Sequence, residues 1–246
     1  YVAGGYDNSS NIDKYSFSTD GNAVDAGFDL SSQRALAAGS SSSTHAYTMA
    51  GGTTNEATFH NVIDKYSFSA SSNATDIGDL FAQQFRLAGC SSSTFGYAAG
   101  GCGTGTSGPY VDTIQKVSFS TDGNSTDVGN LTQGRSPDGS GVSSTTYGYV
   151  AGGYDDPAPS GGWNIIDKWS FASDANATDV GDLVVARRHS AGSSSTDYGY
   201  IAGGHHIGGG GSSNNEIQRW PFASDGNSVD WADLTVARMQ NTGNQY

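Results

Sequence analysis

The sequence predicts an all-β chain folded as a five-bladed β-propeller of four-stranded antiparallel blades, on three observations. A Gly-Gly pair preceded by Ala recurs at Gly4-Gly5, Gly51-Gly52, Gly100-Gly101, Gly152-Gly153 and Gly203-Gly204, at spacings of 47, 49, 52 and 51 residues. Periods of roughly 20 to 50 residues announce solenoids and propellers, and the step from Gly203 round the termini to Gly4 is again 47, so this period closes on itself. Composition agrees: 36 Gly, 13 Tyr and 10 Phe against 2 Met favour strands and turns over helices.

Each repeat carries four segments. Strand a opens at Arg34, Gln84, Arg135, Arg187 or Arg238 and runs through small residues such as Ala191-Gly192-Ser193-Ser194-Ser195, as the crowded axis of a propeller requires. Strand b ends in the glycine pair, as in Tyr149-Val150-Ala151-Gly152-Gly153. Strand c follows a loop at Ile12–Phe17, Ile63–Phe68, Ile114–Phe119, Ile166–Phe171 and Ile217–Phe222, where apolar and polar residues alternate with the period of a half-buried strand. A short hairpin leads to strand d, centred on Asp25, Asp76, Asp127, Asp179 and Asp230. The single domain 1–246 divides into blades at 34–80, 84–131, 135–183, 187–234 and, across the termini, 238–246 with 1–30.

That last blade is expected to close the ring by pairing a C-terminal strand a with N-terminal strands b, c and d. Twelve or thirteen residues separate the strand-a Gly from the last Gly of the pair elsewhere, but only eight separate Gly243 from Gly5 round the ends. Both termini therefore fall at an a-to-b turn. The a-to-b and c-to-d turns share one face, so flanking chain would leave there, and the b-to-c and d-to-a loops point away. The chain opens on Tyr1 rather than Met and is expected to be part of a longer chain or assembly.

The Arg-led inner strand, Gly-Gly pair, variable loop, aromatic third strand and short fourth resemble the kelch repeat over the whole chain. The kelch Trp of the fourth strand is missing from most blades, with only Trp231 nearby. The hairpins Ser18–Asp25, Ser120–Asp127 and Ala223–Asp230 are similar to the Asp-box of sialidase propellers, which implies a structural turn. In such a turn Asn22, Asn73, Asn124, Asn176 and Asn227 would take positive φ. The alternative is a Ca²⁺ loop, although the spacing disagrees with an EF-hand. Runs such as Asp174–Leu183 look like repeats of predicted tail-fibre-type proteins of marine bacteriophages, a likeness that implies adhesion.

A formal charge of −13 and a pI near 4.4 argue against nucleic-acid partners and anionic membranes, which need clustered cations. No run of about 18 apolar residues is present to insert into a bilayer. The two cysteines, Cys90 and Cys102, are too few for a disulfide scaffold, and whether they are bridged or free stays open. No cofactor is expected.

Repeated positions build scaffold, so function is expected where the repeats diverge, in the b-to-c loops. The candidate ligand-binding residues there are Tyr6, Asp7, Phe59, His60, Tyr110, Tyr154, Asp155, Trp163, His205 and His206. Rings among short polar side chains suit a sugar, whose C–H face stacks while its hydroxyls hydrogen-bond; the alternative is that they only fill their own loops. His189, expected opposite Gly204, joins His205 and His206 as candidate Zn²⁺ or Ni²⁺ ligands, set against three exposed histidines. Arg34, Arg135, Arg187 and Arg238 either ring the channel mouth for an anion or bond the carbonyls of adjacent loops. Asp13, Asp64 and Asp167, beside Lys14, Lys65 and Lys168, read as solvated strand faces.

No catalytic residue emerges. An enzyme would show residues unique to one or two blades facing the channel, and strand a offers mostly Ala, Gly and Ser. The expected function is a non-catalytic binding module for a surface glycan or receptor protein, located outside the cell or on a virion. A structural or assembly domain is the first alternative, and a glycosidase or oxidase the second.

Overall fold

The computed structural model describes residues 1–5, 9–53, 58–103, 110–155, 162–206, 212–240 and 243. It is all-β, with five four-stranded antiparallel blades in a propeller arrangement and no helix among the described residues, hence none long and apolar enough to cross a membrane. The described strands of the first blade are β1 (Val2–Ala3), β2 (Asn11–Lys14) and β3 (Val24–Asp29). The second holds β4 (Ala38–Ser41), β5 (His45–Met49), β6 (Val62–Ser67) and β7 (Thr75–Asp79). The third holds β8 (Ala88–Ser91), β9 (Phe95–Ala99), β10 (Thr113–Ser118) and β11 (Thr126–Asn130). The fourth comprises β12 (Gly141–Ser143), β13 (Tyr147–Ala151), β14 (Ile165–Ser170) and β15 (Thr178–Asp182). The fifth has β17 (Ala191–Ser194), β18 (Tyr198–Ala202), β20 (Asn214–Pro221) and β21 (Val229–Arg238), with the short pair β16 (Arg187–Arg188) and β19 (His205–His206) at its loop end.

Glycine sets how closely the inner strands converge. A Cβ on Gly89 would land on the Gly39 carbonyl, one on Gly141 on Gly89, one on Gly192 on Gly141, and one on Gly243 on Gly192. Gly243 thus continues the inner-strand series of the blades before it. In the second blade the repeat is offset by one residue: Ala50, at φ 57°, takes the left-handed place that Gly4, Gly100, Gly152 and Gly203 fill elsewhere.

Neighbouring blades are held by three recurring contacts. A strand-b tyrosine stacks on the phenylalanine ending the next blade's third strand: Tyr1–Phe68, Tyr47–Phe119, Tyr97–Phe171 and Tyr149–Phe222, with centroids 5.3, 4.7, 4.9 and 5.0 Å apart. Hairpin asparagines bridge the same seams, their Oδ1 accepting N–H bonds across them: Asn73 from Asp29, Asn124 from Asp79, Asn176 from Asn130 and Asn227 from Asp182. None of these four asparagines has positive φ, contrary to the expectation from the hairpin pattern; the amide is used as an acceptor across the seam instead. Finally, Lys65, Lys116 and Lys168 reach Asp122, Asp174 and Asp225 of the following hairpin. Where the fifth blade meets the first, Phe17 is 65% and Trp231 50% exposed.

Asp64 and Asp167 are fully buried, against the reading of a solvated face. The third and fourth strands shift register between Val62 and Asp64 and between Ile166 and Asp167. A bulge breaks the two-residue alternation, so Ile63 and Asp64, or Ile166 and Asp167, both turn inward. Asp13 alone of the three stays exposed. Cys90 and Cys102 are buried and form no disulfide, and burial pushes the Cys90 thiol up to about 12.

Candidate functional site

The arginine column belongs to the scaffold. Arg34, Arg135 and Arg187 are completely buried. Arg34 pairs with Asp64, Arg135 with Asp167 at 2.9 Å, and Arg187 with Glu216 at 2.5 Å. Further donors go to carbonyls, Arg135 Nε to Gly152 at 2.8 Å and Arg187 Nη1 to Gly203 at 3.0 Å, while Arg34 Nε makes no hydrogen bond. The third blade carries Gln84 and Gln115 at the equivalent places, joined at 2.7 Å, so both partners change together. Arg238 is exposed.

At the loop end of the ring the second to fifth blades each form a small irregular sheet. Isolated bridges join Ala35 to Gly52 and Gly52 to Phe59, Phe85 to Cys102 and Cys102 to Tyr110, Ser136 to Tyr154, and His205 to Ser213. Strand-a openings, residues after the glycine pair and returning b-to-c loops therefore share one face. Tyr6 and Asp7 lie outside the described residues. Phe59 packs on Phe85 with centroids 4.9 Å apart. Tyr110 and Tyr154, from different blades, meet edge to face at 5.6 Å, and the Arg188 guanidinium lies 4.5 Å over the Tyr154 ring. Burial first, then Cys102 and Tyr154, hold the Tyr110 hydroxyl above the ordinary tyrosine value, while Arg86 pulls it down.

The other candidates are more dispersed. His60 hydrogen-bonds through its backbone to Gly51 and Gln84, and burial, then the Arg34 charge, lower its pKa. Trp163 is half-buried, its backbone bonding Gly153 and Arg187, and its indole Nε1 makes no hydrogen bond. Asp155 Oδ1 is likewise unpaired. Arg187 pairs with His206 and Arg188 with His205, a register that sets His189 level with Gly204. Yet the His189 ring turns away from that pair, its Nδ1 lying 3.2 Å from Asp138. The described residues contain no group of three His, Cys, Asp or Glu able to hold a metal.

A feature absent from the sequence reading frames the axis. Leu36, Arg86, Asp138, His189 and Gln240 all have φ between 49° and 60°, a left-handed conformation that costs a non-glycine residue about 1–3 kcal/mol. They occupy one structural position, three residues before Gly39, Gly89, Gly141, Gly192 and Gly243. At three of the five positions the N–H reaches the previous blade: Arg86 donates to Leu36 at 2.7 Å, Asp138 to Arg86 at 3.2 Å and Gln240 to His189 at 2.8 Å. All five side chains line an axial cavity of about 810 Å³. Within the ring Arg86 Nε is 3.9 Å from Asp138, and Ser136 Oγ donates to Asp138 at 3.1 Å. Divergence hides the column, of which the sequence singles out only His189: five unlike types in one column give no motif. The available signal was that divergence itself, between an Arg column and a Gly column that barely vary.

No protein-family model matches the chain, and no curated protein matches it. Many solved structures are similar in fold to this chain. One of them, described as "Structure of YjhT", superposes with a TM-score of 0.70 at 12% identity, over 86% of this chain and 74% of that one. At that identity the likeness speaks for the fold alone.

Proposed function

We propose that this chain is a non-catalytic binding module that recognises a surface glycan through its b-to-c face. The observation that carries the reading is the contrast between a scaffold repeated in all five blades and a rim where every blade differs. On that rim Tyr110, Tyr154 and Arg188 stand beside the strained ring of Arg86, Asp138 and His189. Aromatic faces next to mixed donors and acceptors suit a hydroxylated ring. The kelch-like repeat and the likeness to phage tail-fibre repeats support an adhesin or fibre head on a cell or virion surface.

Screening the isolated ring against a glycan array tests this, with Tyr110→Ala, Tyr154→Ala and Trp163→Ala alongside. Loss of binding at unchanged Tm is expected; unchanged binding in all three overturns the proposal. Capture of a partner protein without any glycan would favour the assembly-domain alternative. The observation favouring a catalytic reading instead is the 3.2 Å approach of Asp138 and His189, and turnover on glycosides would turn the assignment that way.

A further inference from the structure

We infer that the glycan held at this rim is an acidic one, its carboxylate or sulfate seated between Arg86, His189 and Arg188. The inference rests on the glycan-binding reading above and adds the ligand's charge. It starts from where the cations are. The chain has eleven Lys and Arg against 24 Asp and Glu. Six of the eleven are committed to the scaffold: Arg34, Arg135 and Arg187 in buried pairs, and Lys65, Lys116 and Lys168 on hairpin aspartates. Arg86, which pairs with Asp138 at 3.9 Å, and Arg188, over the Tyr154 ring, stand on the variable face in neighbouring parts of one constellation.

Two arcs connect them. The inner arc runs from Arg86 through Asp138 to His189, which adjoins Arg188 in sequence. The outer arc runs through Tyr110, within electrostatic reach of Arg86, to Tyr154 beneath Arg188. Along these arcs several polar atoms are buried without hydrogen bonds: Arg188 Nε, His189 Nδ1 and Asp138 Oδ1. The Asp138 side chain is only 4% exposed. Buried polar groups are nearly always satisfied; here Arg188 Nε has no partner, while His189 Nδ1 and Asp138 Oδ1 have only ionic ones at 3.2 and 3.9 Å, and these incompletely satisfied groups point to a ligand that completes them. Two of the molecule's few guanidinium groups stand here among the carboxylates of Asp138 and Asp155 in a strongly negative molecule, and guanidinium binds carboxylate and sulfate through paired N–H groups. Asp138, already shared by Ser136, His189 and Arg86, keeps Oδ1 without a hydrogen bond as an acceptor for a sugar hydroxyl, and the Tyr154 ring offers a C–H face.

The test uses the whole chain and three probes matched in length: hexasaccharides of a uronate, of a sulfated galactose and of neutral glucose. The uronate or sulfated probe is expected to bind at least about tenfold more tightly than the neutral one, and Arg188→Gln or Arg86→Gln to remove about tenfold of that. The difference between carboxylate and sulfate identifies the group. Raising ionic strength from 0.05 to 0.5 M should weaken acidic binding in the unmutated protein, a readout independent of any variant's folding. Arg188→Lys, which keeps charge but loses the planar fork, should lie between. Equal binding of all three probes, or acidic binding indifferent to both arginines and to salt, overturns the inference while leaving glycan recognition standing. Binding of none of the three, with no glycan found on the array, overturns the glycan reading itself.

Discussion

Replacing Asp167 by Gln isolates what the buried ion pairs contribute. Asp167 is fully buried and accepts from Arg135 at 2.9 Å, from the Thr132 N–H at 3.0 Å and from the Thr132 hydroxyl at 2.7 Å. Removing one member of a buried pair leaves the other charge uncompensated, at a cost of about 3–5 kcal/mol. In a chain of this size that lowers Tm by roughly 6–20 °C. The molecule contains its own control, since Gln84 and Gln115 fill the same two places in the preceding blade at 2.7 Å. The double variant R135Q/D167Q copies that blade and forfeits chiefly the carbonyl bonds of Arg135, at about 1 kcal/mol each. It should therefore be more stable than D167Q alone, and the two single effects should exceed the double by at least about 2 kcal/mol. Thermal and urea unfolding, followed by circular dichroism and by fluorescence of Trp169 on the same strand, measure this. Additive effects within about 0.5 kcal/mol would refute the pair as the unit of stabilisation.

Three further expectations follow from the same geometry. Gly89→Ala should destabilise by about 1–3 kcal/mol, because its Cβ meets the Gly39 backbone, whereas Gly21→Ala, with nothing within 4 Å, should be neutral or slightly stabilising; urea midpoints compare the two. Burial raises the Glu216 carboxyl, but hydrogen bonds from Gln218 and Arg187 and the Arg187 charge outweigh it and hold its pKa below the ordinary value. A depressed folded pKa gives stability that is present above the unfolded value, near 4.3, and is lost as pH falls through the folded one. A Tm series from pH 6 to pH 3 should accordingly drop less steeply in E216Q. Strands β1–β3 should exchange their amide hydrogens faster than the strands of the third blade, since Val2 is 38% and Phe17 65% exposed; equal protection across blades would contradict this.

The propeller was legible because its determinants are local and repeated. The glycine pairs, the small inner strands and the Ile-x-x-x-x-Phe third strands each state one structural need five times. Register was less legible. Asp64 and Asp167 looked solvated because alternation was counted through a bulge that the sequence does not mark. The hairpin asparagines were matched to a turn position, whereas their partners are N–H groups one blade away, which no local pattern encodes. Of the candidate site, Tyr110 and Tyr154 were found as loop aromatics, but their meeting across a blade boundary under Arg188 is a tertiary fact. Arg86 and Asp138 went unseen because each occurs once in a column with no common type.

Function at the divergent rim, rather than in the repeated scaffold, is tested most directly by an amide hydrogen-exchange footprint of the whole chain with and without a glycan that binds it. Protection is expected around Phe85–Arg86, Tyr110, Asp138–Gly139, Tyr154 and Arg188–His189. Protection confined to the c-to-d hairpins at 18–25, 120–127 and 223–230, on the opposite face, would contradict it.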